Sequence, residues 1–251
     1  MDDATCRRLA ALDRCFYRRH GHAFAATRAA PWPGWRRLVD HLPPPAEGQP
    51  LRVLDVGCGH GRLATFLAAA LPWPVAYVGV DGSPTMVQLA RRHLAPLPAV
   101  QLQRRELTAL RGPALPPGPF HLVALLGVLH HLPGAHVRLR VLQEAAARLA
   151  PGGVLAFTVW RFATEPRFAG KVVPWAELNR RLRRPLDLAQ LEEGDVLLPF
   201  GHDPTALRYC HGVGEGELAG WLAALPPVVD DYLADGAGGQ LNRYLIFRAG
   251  P

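Results

Sequence analysis

Over residues 51–160 the apolar and polar positions follow two alternating rhythms. Short apolar runs at Leu51–Val56, 75–80, 100–103, 120–126 and 154–160 have the length of strands buried on both faces. Between them lie stretches with helical spacing. Residues 62–71 are amphipathic, 84–94 start with a proline that Ser83 caps, and 136–149 are stopped by Pro151-Gly152-Gly153. Strands alternating with helices predict a parallel sheet covered on both sides. Ahead of this block, Leu9, Leu12, Cys15 and Phe16 predict a helix from about Asp3 to Arg19. A loop over 25–33, a short helix over 34–42 and a proline-rich linker up to Pro50 follow.

Beyond residue 160 the rhythm breaks. Residues 161–205 read as an irregular insertion, basic through Arg167, Lys171, Arg180, Arg181, Arg183 and Arg184. Residues 215–225 read as a helix, and 228–233 and 241–247 as strands, the second entered through a glycine-rich hairpin turn at 235–239. The expected organisation is an N-terminal helical cap and linker over 1–50 and an α/β core over 51–160. A basic insertion over the acceptor site (161–212) and a closing helix and strands (213–251) complete the chain.

Composition narrows this little. At 49% hydrophobic and 20% charged, the 251 residues read as ordinary globular protein. The longest apolar stretch, 122–129, is too short to cross a bilayer, and Met1-Asp2-Asp3 opens no signal core, so the expectation is a cytoplasmic protein without membrane contact. Cys6, Cys15, Cys58 and Cys210 form no CxxC pair, which argues for free thiols and against a metal site. The net charge of +7 favours a polyanionic partner. Lysine occurs only at Lys171 among 28 basic residues, however, and isoleucine only at Ile246; codon bias accounts for that equally well.

Chemistry enters at Val53-Leu54-Asp55-Val56-Gly57-Cys58-Gly59-His60-Gly61. Glycines after a buried strand let backbone approach a ligand, and the next helix points its amides at it. The spacing is GxGxG, not the GxGxxG of pyrophosphate sites. Asp55, two residues before the first glycine, would repel a pyrophosphate but can orient an ammonium. Asp81, ending the second strand, can accept the hydroxyls of a ribose.

This set resembles the class I S-adenosylmethionine (SAM)-dependent methyltransferases. Gly79-Val80-Asp81-Gly82-Ser83 is similar to their ribose-binding motif, Glu106-Leu107 sits at the adenine-side position, and the segment 120–131, with Gly127, resembles their fourth-strand motif. The resemblance implies a doubly wound, mostly parallel, Rossmann-like seven-stranded α/β sheet with an N-terminal helical extension and an insertion after the fifth strand. It also implies SAM as methyl donor and S-adenosylhomocysteine as product. The implied cofactor residues are Asp55, Gly57, Cys58, Gly59, Gly61, Asp81, Gly82, Ser83, Glu106, Leu107 and Gly127.

The flanks are more particular. Phe24-Ala25-Ala26-Thr27-Arg28-Ala29-Ala30-Pro31-Trp32-Pro33, the run 193–200 and Arg208-Tyr209-Cys210-His211 with Glu215-Gly216-Glu217-Leu218 are similar to the enzymes that methyl-esterify carboxymethyluridine at the tRNA wobble position. Phe200, Cys210 and Arg243-Tyr244 depart from that family's usual Trp, Tyr and Asn-Trp. The resemblance implies tRNA as partner. Eukaryotic members also use a small zinc-binding activator subunit, which nothing in this chain supplies.

An ionised carboxylate needs no general base, only a cation or donors to hold it. Arg28 is the first candidate, with His130, His131, Arg208 and Tyr209 as further acceptor-side residues. Alternation after the fourth strand would put one histidine, His130, on the cavity side. A methyltransferase of a small carboxylate or other metabolite, and a non-catalytic SAM-binding scaffold, remain as alternatives.

Overall fold

In the computed structural model, which describes residues 1–109, 114–165, 168, 170–201 and 203–251, the apolar runs of the core become strands in the predicted order. They are β1 (Leu51–Val56), β2 (Val75–Asp81), β3 (Val100–Arg104), β4 (Phe120–Leu125) and β5 (Leu149–Trp160). The helices between and around them are α1 (Asp3–Ala26), α2 (Trp35–Val39), α3 (Arg62–Ala70), α4 (Pro84–His93) and α5 (Ala135–Ala146). After β5 come α6 (Trp175–Arg181), β6 (Asp195–Phe200), β7 (Asp203–His211), α7 (Glu215–Ala224), β8 (Val228–Ala234) and β9 (Asn242–Arg248).

Seven strands form one sheet in the order β3-β2-β1-β4-β5-β9-β8. Neighbours from β3 through β5 pair in parallel, and β9 lies antiparallel between β5 and β8. Because side chains alternate along each strand, Leu54, Val56, Val123 and Leu125 pack on one face with Val137 and Val141 of α5. Leu51, Val53, Leu122 and Ala124 pack on the other with Leu63 and Leu67 of α3. This is the doubly wound sheet the sequence pattern predicts. Among the described residues no helix is long and apolar enough to cross a membrane.

Two segments differ from expectation. α1 runs on to Ala26 instead of stopping near Arg19, because the buried stripe continues past Phe16 to Gly21, which packs on Thr85 and Met86 of α4. The insertion is not irregular: β6 and β7 form a second, two-stranded antiparallel sheet that packs on α1 through Leu9, Leu197, Leu207 and Tyr209. Its strand signal is masked because β6 is apolar on both faces and carries Pro199. Arg180, Arg181, Arg183 and Arg184 are exposed on this unit, and Arg167 lies outside the described residues.

A buried ionic network fastens the small sheet to the core. Arg138 of α5, 1% exposed, donates to Glu192, to Glu217 of α7 and to the Leu132 carbonyl. His211, closing β7, lies 2.7 Å from Asp195 Oδ1 and 2.8 Å from Glu217 Oε2. Burial opposes charge on His211, but the two carboxylates outweigh it and hold the imidazole above its ordinary pKa. Burial likewise opposes charge on Glu217, and His211 and Arg138 outweigh it, holding that carboxyl below its ordinary range.

The His211 contribution is therefore complete below about pH 6.5 and lost as pH rises through the raised value. That of Glu217 is complete above about pH 4.5 and lost on acidification. The melting temperature is expected to decline on the alkaline side, and His211→Gln to make that decline shallower than in the wild type. A wild-type protein with no alkaline decline would show His211 to be neutral in the fold. Arg138→Met, which removes the shared cation of Glu192 and Glu217 and leaves Glu217 only His211, is expected to cost about 3–5 kcal/mol in denaturant titrations.

Candidate cofactor and acceptor site

Strand order reverses between β1 and β4, the place where open α/β sheets bind ligands beyond the carboxyl ends of their strands. A cavity of about 760 Å³ opens there. One wall is the loop that carries β1 into α3. Gly57 sits at φ +73°, and a Cβ there would meet Val128 at 2.3 Å, so only glycine fits the turn. Gly59 has open space where a side chain would stand, which leaves its backbone accessible to a ligand.

Asp81 ends β2 and braces this loop. Its Oδ2 accepts the Gly59 N–H at 2.9 Å and its Oδ1 the Ser83 N–H at 2.7 Å. Each oxygen keeps a further lone pair, so the carboxylate can still accept ribose hydroxyls. Asp55 is buried and accepts the Tyr77 hydroxyl at 2.5 Å. Burial outweighs that hydrogen bond and lifts Asp55 to about 7. A buried carboxyl this high suits a cationic ligand group such as the ammonium of SAM. Trp35, in the same cavity wall, buries its indole N–H without a hydrogen-bond partner among the described residues.

Glu106 follows β3, accepting the Thr108 hydroxyl at 2.8 Å and pairing with Arg14 of α1 at 3.0 Å. Leu107 is buried beside it, and Gly82 has its nearest neighbour, the Arg105 carbonyl, 3.6 Å from where a Cβ would stand. Gly127 donates its N–H to Thr158 at 2.8 Å and lies under the Trp32 ring. Cys58 is buried in the loop, and burial raises its thiol well above its ordinary pKa. Of the predicted cofactor residues only Gly61 stays out of the cavity wall; at φ +88° it starts α3 and packs against Leu94. The residues present fit SAM.

The opposite wall comes from α1, the 3-10 turn Leu129–His131 after β4, and the small sheet. Arg208 of β7 is 5% exposed, and its Nε has no hydrogen-bond partner among the described residues. Its guanidinium lies 5.4 Å from the Trp160 ring centroid, 5.6 Å from Phe24 and 5.8 Å from Phe16. Among the described residues no carboxylate lies within 4.0 Å of it. Arg28 stacks on Phe24 at 3.6 Å and donates to the Thr27 hydroxyl at 2.6 Å. Both arginines line the cavity, with Lys171 and Phe200.

His130 and His131 both line the cavity, because they sit in a 3-10 turn where strand alternation no longer applies. His130 is buried between His131 and Trp160, and its Nδ1 has no partner among the described residues. Burial, then His131, Arg208 and Arg28, depress it well below its ordinary pKa, so it is neutral. Tyr209 points the other way. Alternation along β7 puts Arg208 in the cavity and the Tyr209 ring in the core, where its hydroxyl donates to Asp195 at 2.6 Å. Only its backbone reaches the site, through a carbonyl 3.2 Å from His131 Nδ1.

Sequence reasoning missed Asp13 and Tyr17 of α1, which both line the cavity. The signal was available for Asp13: a carboxylate on the buried stripe between Leu9 and Phe16. Tyr17 carries no such mark, since an aromatic beside a buried helix stripe reads as packing.

Residues 54–155 match the family model described as a methyltransferase domain. The chain is 31% identical over 213 residues to the trans-aconitate 2-methyltransferase of Methylobacterium nodulans, covering 78% of this chain and 76% of that one. It is 30% identical over 142 residues to the mouse (Mus musculus) tRNA (carboxymethyluridine(34)-5-O)-methyltransferase ALKBH8, covering 57% of this chain but 19% of that protein. Its fold matches Burkholderia thailandensis 1,6-didemethyltoxoflavin-N1-methyltransferase, crystallised with S-adenosylhomocysteine, with a TM-score of 0.60 and 21% identity over 98% of this chain and 91% of that one.

Asp81→Ala is expected to abolish most SAM affinity in calorimetry; unchanged binding would remove Asp81 from the site. Below pH of about 7, where Asp55 is protonated in the free protein, binding of the ammonium must expel that proton. SAM affinity should fall there by up to about tenfold per pH unit, with proton release visible as a buffer-dependent heat.

Proposed function

The chain belongs to the class I SAM-dependent methyltransferases, and within that family we propose that it methyl-esterifies a carboxylate, the carboxymethyl group of a modified wobble uridine in tRNA. The observation that carries this reading is Arg208. A buried guanidinium with an unsatisfied Nε and no carboxylate within reach among the described residues is an electrostatic gap that an anionic acceptor would fill. SAM supplies a methyl group on a sulfonium. The acceptor oxygen arrives ionised, a C–O bond forms as the C–S bond breaks, and no proton moves. The protein's task is then to hold the two in line and exclude water.

The finer assignment to tRNA rests on the flanks. The Thr27-Arg28 to Pro31-Trp32-Pro33 segment and β7 both line or border the acceptor wall. Phe24, Trp160 and Phe200 offer flat apolar surface to a splayed-out base, and Arg180, Arg181, Arg183 and Arg184 offer exposed charge to phosphates. Action on tRNA places the work in the cytoplasm, with any activator subunit supplied by a separate chain. A second reading, a free small polycarboxylate as acceptor, is favoured by the similarity to trans-aconitate 2-methyltransferase, which covers more of this chain than the tRNA-enzyme match does.

Labelled SAM offered to a carboxymethyluridine-containing tRNA and to trans-aconitate separates the two. The expected result is base-labile label in the modified nucleoside, identified by mass spectrometry, with tRNA retention that weakens as salt rises. Label in trans-aconitate alone would select the second reading, and label only on a nitrogen or a neutral hydroxyl would overturn the carboxylate reading. Arg208→Gln is expected to lower kcat/KM by about 100-fold while SAM affinity stays intact.

A further inference from the structure

Tyr17 stands in the acceptor wall with its hydroxyl oxygen 3.0 Å from His131 Nε2. His131 is fixed from behind. Its Nδ1 lies 3.2 Å from the Tyr209 carbonyl, which can only accept, so Nδ1 carries a hydrogen. The direction of the Tyr17–His131 bond then depends on one proton. With Nε2 bare, the Tyr17 hydroxyl donates into the ring and shows the cavity only lone pairs, which repel a carboxylate. With Nε2 protonated, the ring donates to Tyr17, and the phenolic proton is free to point at the acceptor.

Asp13 decides between these states. Its Oδ1 accepts the Tyr209 N–H at 2.8 Å, while its Oδ2 is buried, has no hydrogen-bond partner among the described residues and lies 3.2 Å from His131 Nδ1. A buried carboxylate oxygen without a donor calls for a cation beside it, and His131 is in contact. We propose that His131 is held as an imidazolium by Asp13, that it turns the Tyr17 hydroxyl outward, and that Tyr17 thereby donates a hydrogen bond to the acceptor carboxylate alongside Arg208. Tyr17 is on this view an acceptor-binding residue; His131 and Asp13 are positioning residues. The inference rests on the carboxylate reading above.

The groups around His131 pull in both directions. Burial opposes its charge; the cations Arg208 of β7 and Arg28 beyond α1 line the same cavity, and neutral His130 lies tilted against the ring with centroids 4.2 Å apart. Asp13 of α1 and Asp81 at the end of β2 favour the imidazolium by charge, and the neutral Tyr17 hydroxyl and Cys210 of β7 favour it by hydrogen bonding. The net direction is well above the ordinary histidine pKa. Burial also raises Tyr17, so its proton stays on the oxygen.

The test compares wild type, Tyr17→Phe and Asp13→Asn on two probes, an anticodon stem-loop carrying 5-carboxymethyluridine and trans-aconitate. Wild-type kcat/KM is expected to fall as pH rises through the His131 pKa. Tyr17→Phe should lose about 10- to 100-fold in kcat/KM, mostly as a higher acceptor KM, keep its SAM affinity and melting temperature, and lack the alkaline decline. Asp13→Asn should move that decline to lower pH. Nitrogen-15 shifts should show both His131 ring nitrogens protonated at neutral pH. A neutral His131, or a Tyr17→Phe variant equal to wild type in kcat/KM and pH profile, overturns this inference alone. A wild type that esterifies neither probe overturns the carboxylate reading and this inference with it.

Discussion

The acceptor half of this molecule depends on one buried contact, the meeting of Asp13 with His131 and the backbone of Tyr209. Three separately built parts converge there: the long N-terminal helix, the 3-10 turn that ends β4, and the second strand of the inserted sheet. Each part is stable for its own reasons, the helix through its stripe on the inserted sheet, the turn through the core, the strand through β6. The charge and hydrogen-bond demands of the joint act together with the apolar packing of α1 on the inserted sheet to fix how they face one another. A carboxylate with one oxygen on a backbone N–H and the other against an imidazole tolerates little displacement. Arg208, one residue before Tyr209, inherits its position from that constraint.

The donor half needs no such convergence. The glycine turn, Asp55 and Asp81 lie on adjacent strands of one parallel sheet, paired residue by residue, so β1 and β2 place all three. Asp81 holds the glycine loop through Gly59 at the same time as it offers its remaining lone pairs to a ligand. The ionic network of Arg138, Glu192, Glu217, Asp195 and His211 performs the corresponding task for the acceptor half, but from behind, by tying the inserted sheet to α5 and α7.

This difference explains what could be read from the sequence. Strand and helix order, the sheet's class and the donor residues are local: spacing within 53–61 and the acid at Asp81 carry them, and the structure puts all but Gly61 in the cavity wall. The acceptor wall is not local. Asp13 and Tyr209 are 196 residues apart, and no periodicity links them. The doubly apolar first strand hides the β6–β7 hairpin, so the sequence does not separate the inward and outward faces of β7 and predicts Tyr209 in the site beside Arg208. Once β7 is a strand, alternation separates them. The same reasoning applied to His130 and His131 fails in the other direction, because a 3-10 turn lets both reach the cavity.

The two walls differ in charge, and that difference bears on the chemistry. Asp55, Asp81 and Glu106, with Arg62 and Arg14 near them, gather on one side of the cavity, and Arg208, Arg28 and Lys171, with the Asp13–His131 pair, on the other. Methyl transfer from a sulfonium to a carboxylate consumes one positive and one negative charge, so charge disperses in the transition state. Water would stabilise the separated ions more than that state, and a dry cavity removes the advantage. For the proposed carboxylate acceptor, the cations opposite would have to be strong enough to bring it in and weak enough to release its attacking oxygen. On the proposed reading, a guanidinium spread over aromatic faces and a tyrosine hydroxyl backed by an imidazolium would meet that requirement better than a bare ammonium in contact, since each can hold one carboxylate oxygen and leave the other free to attack.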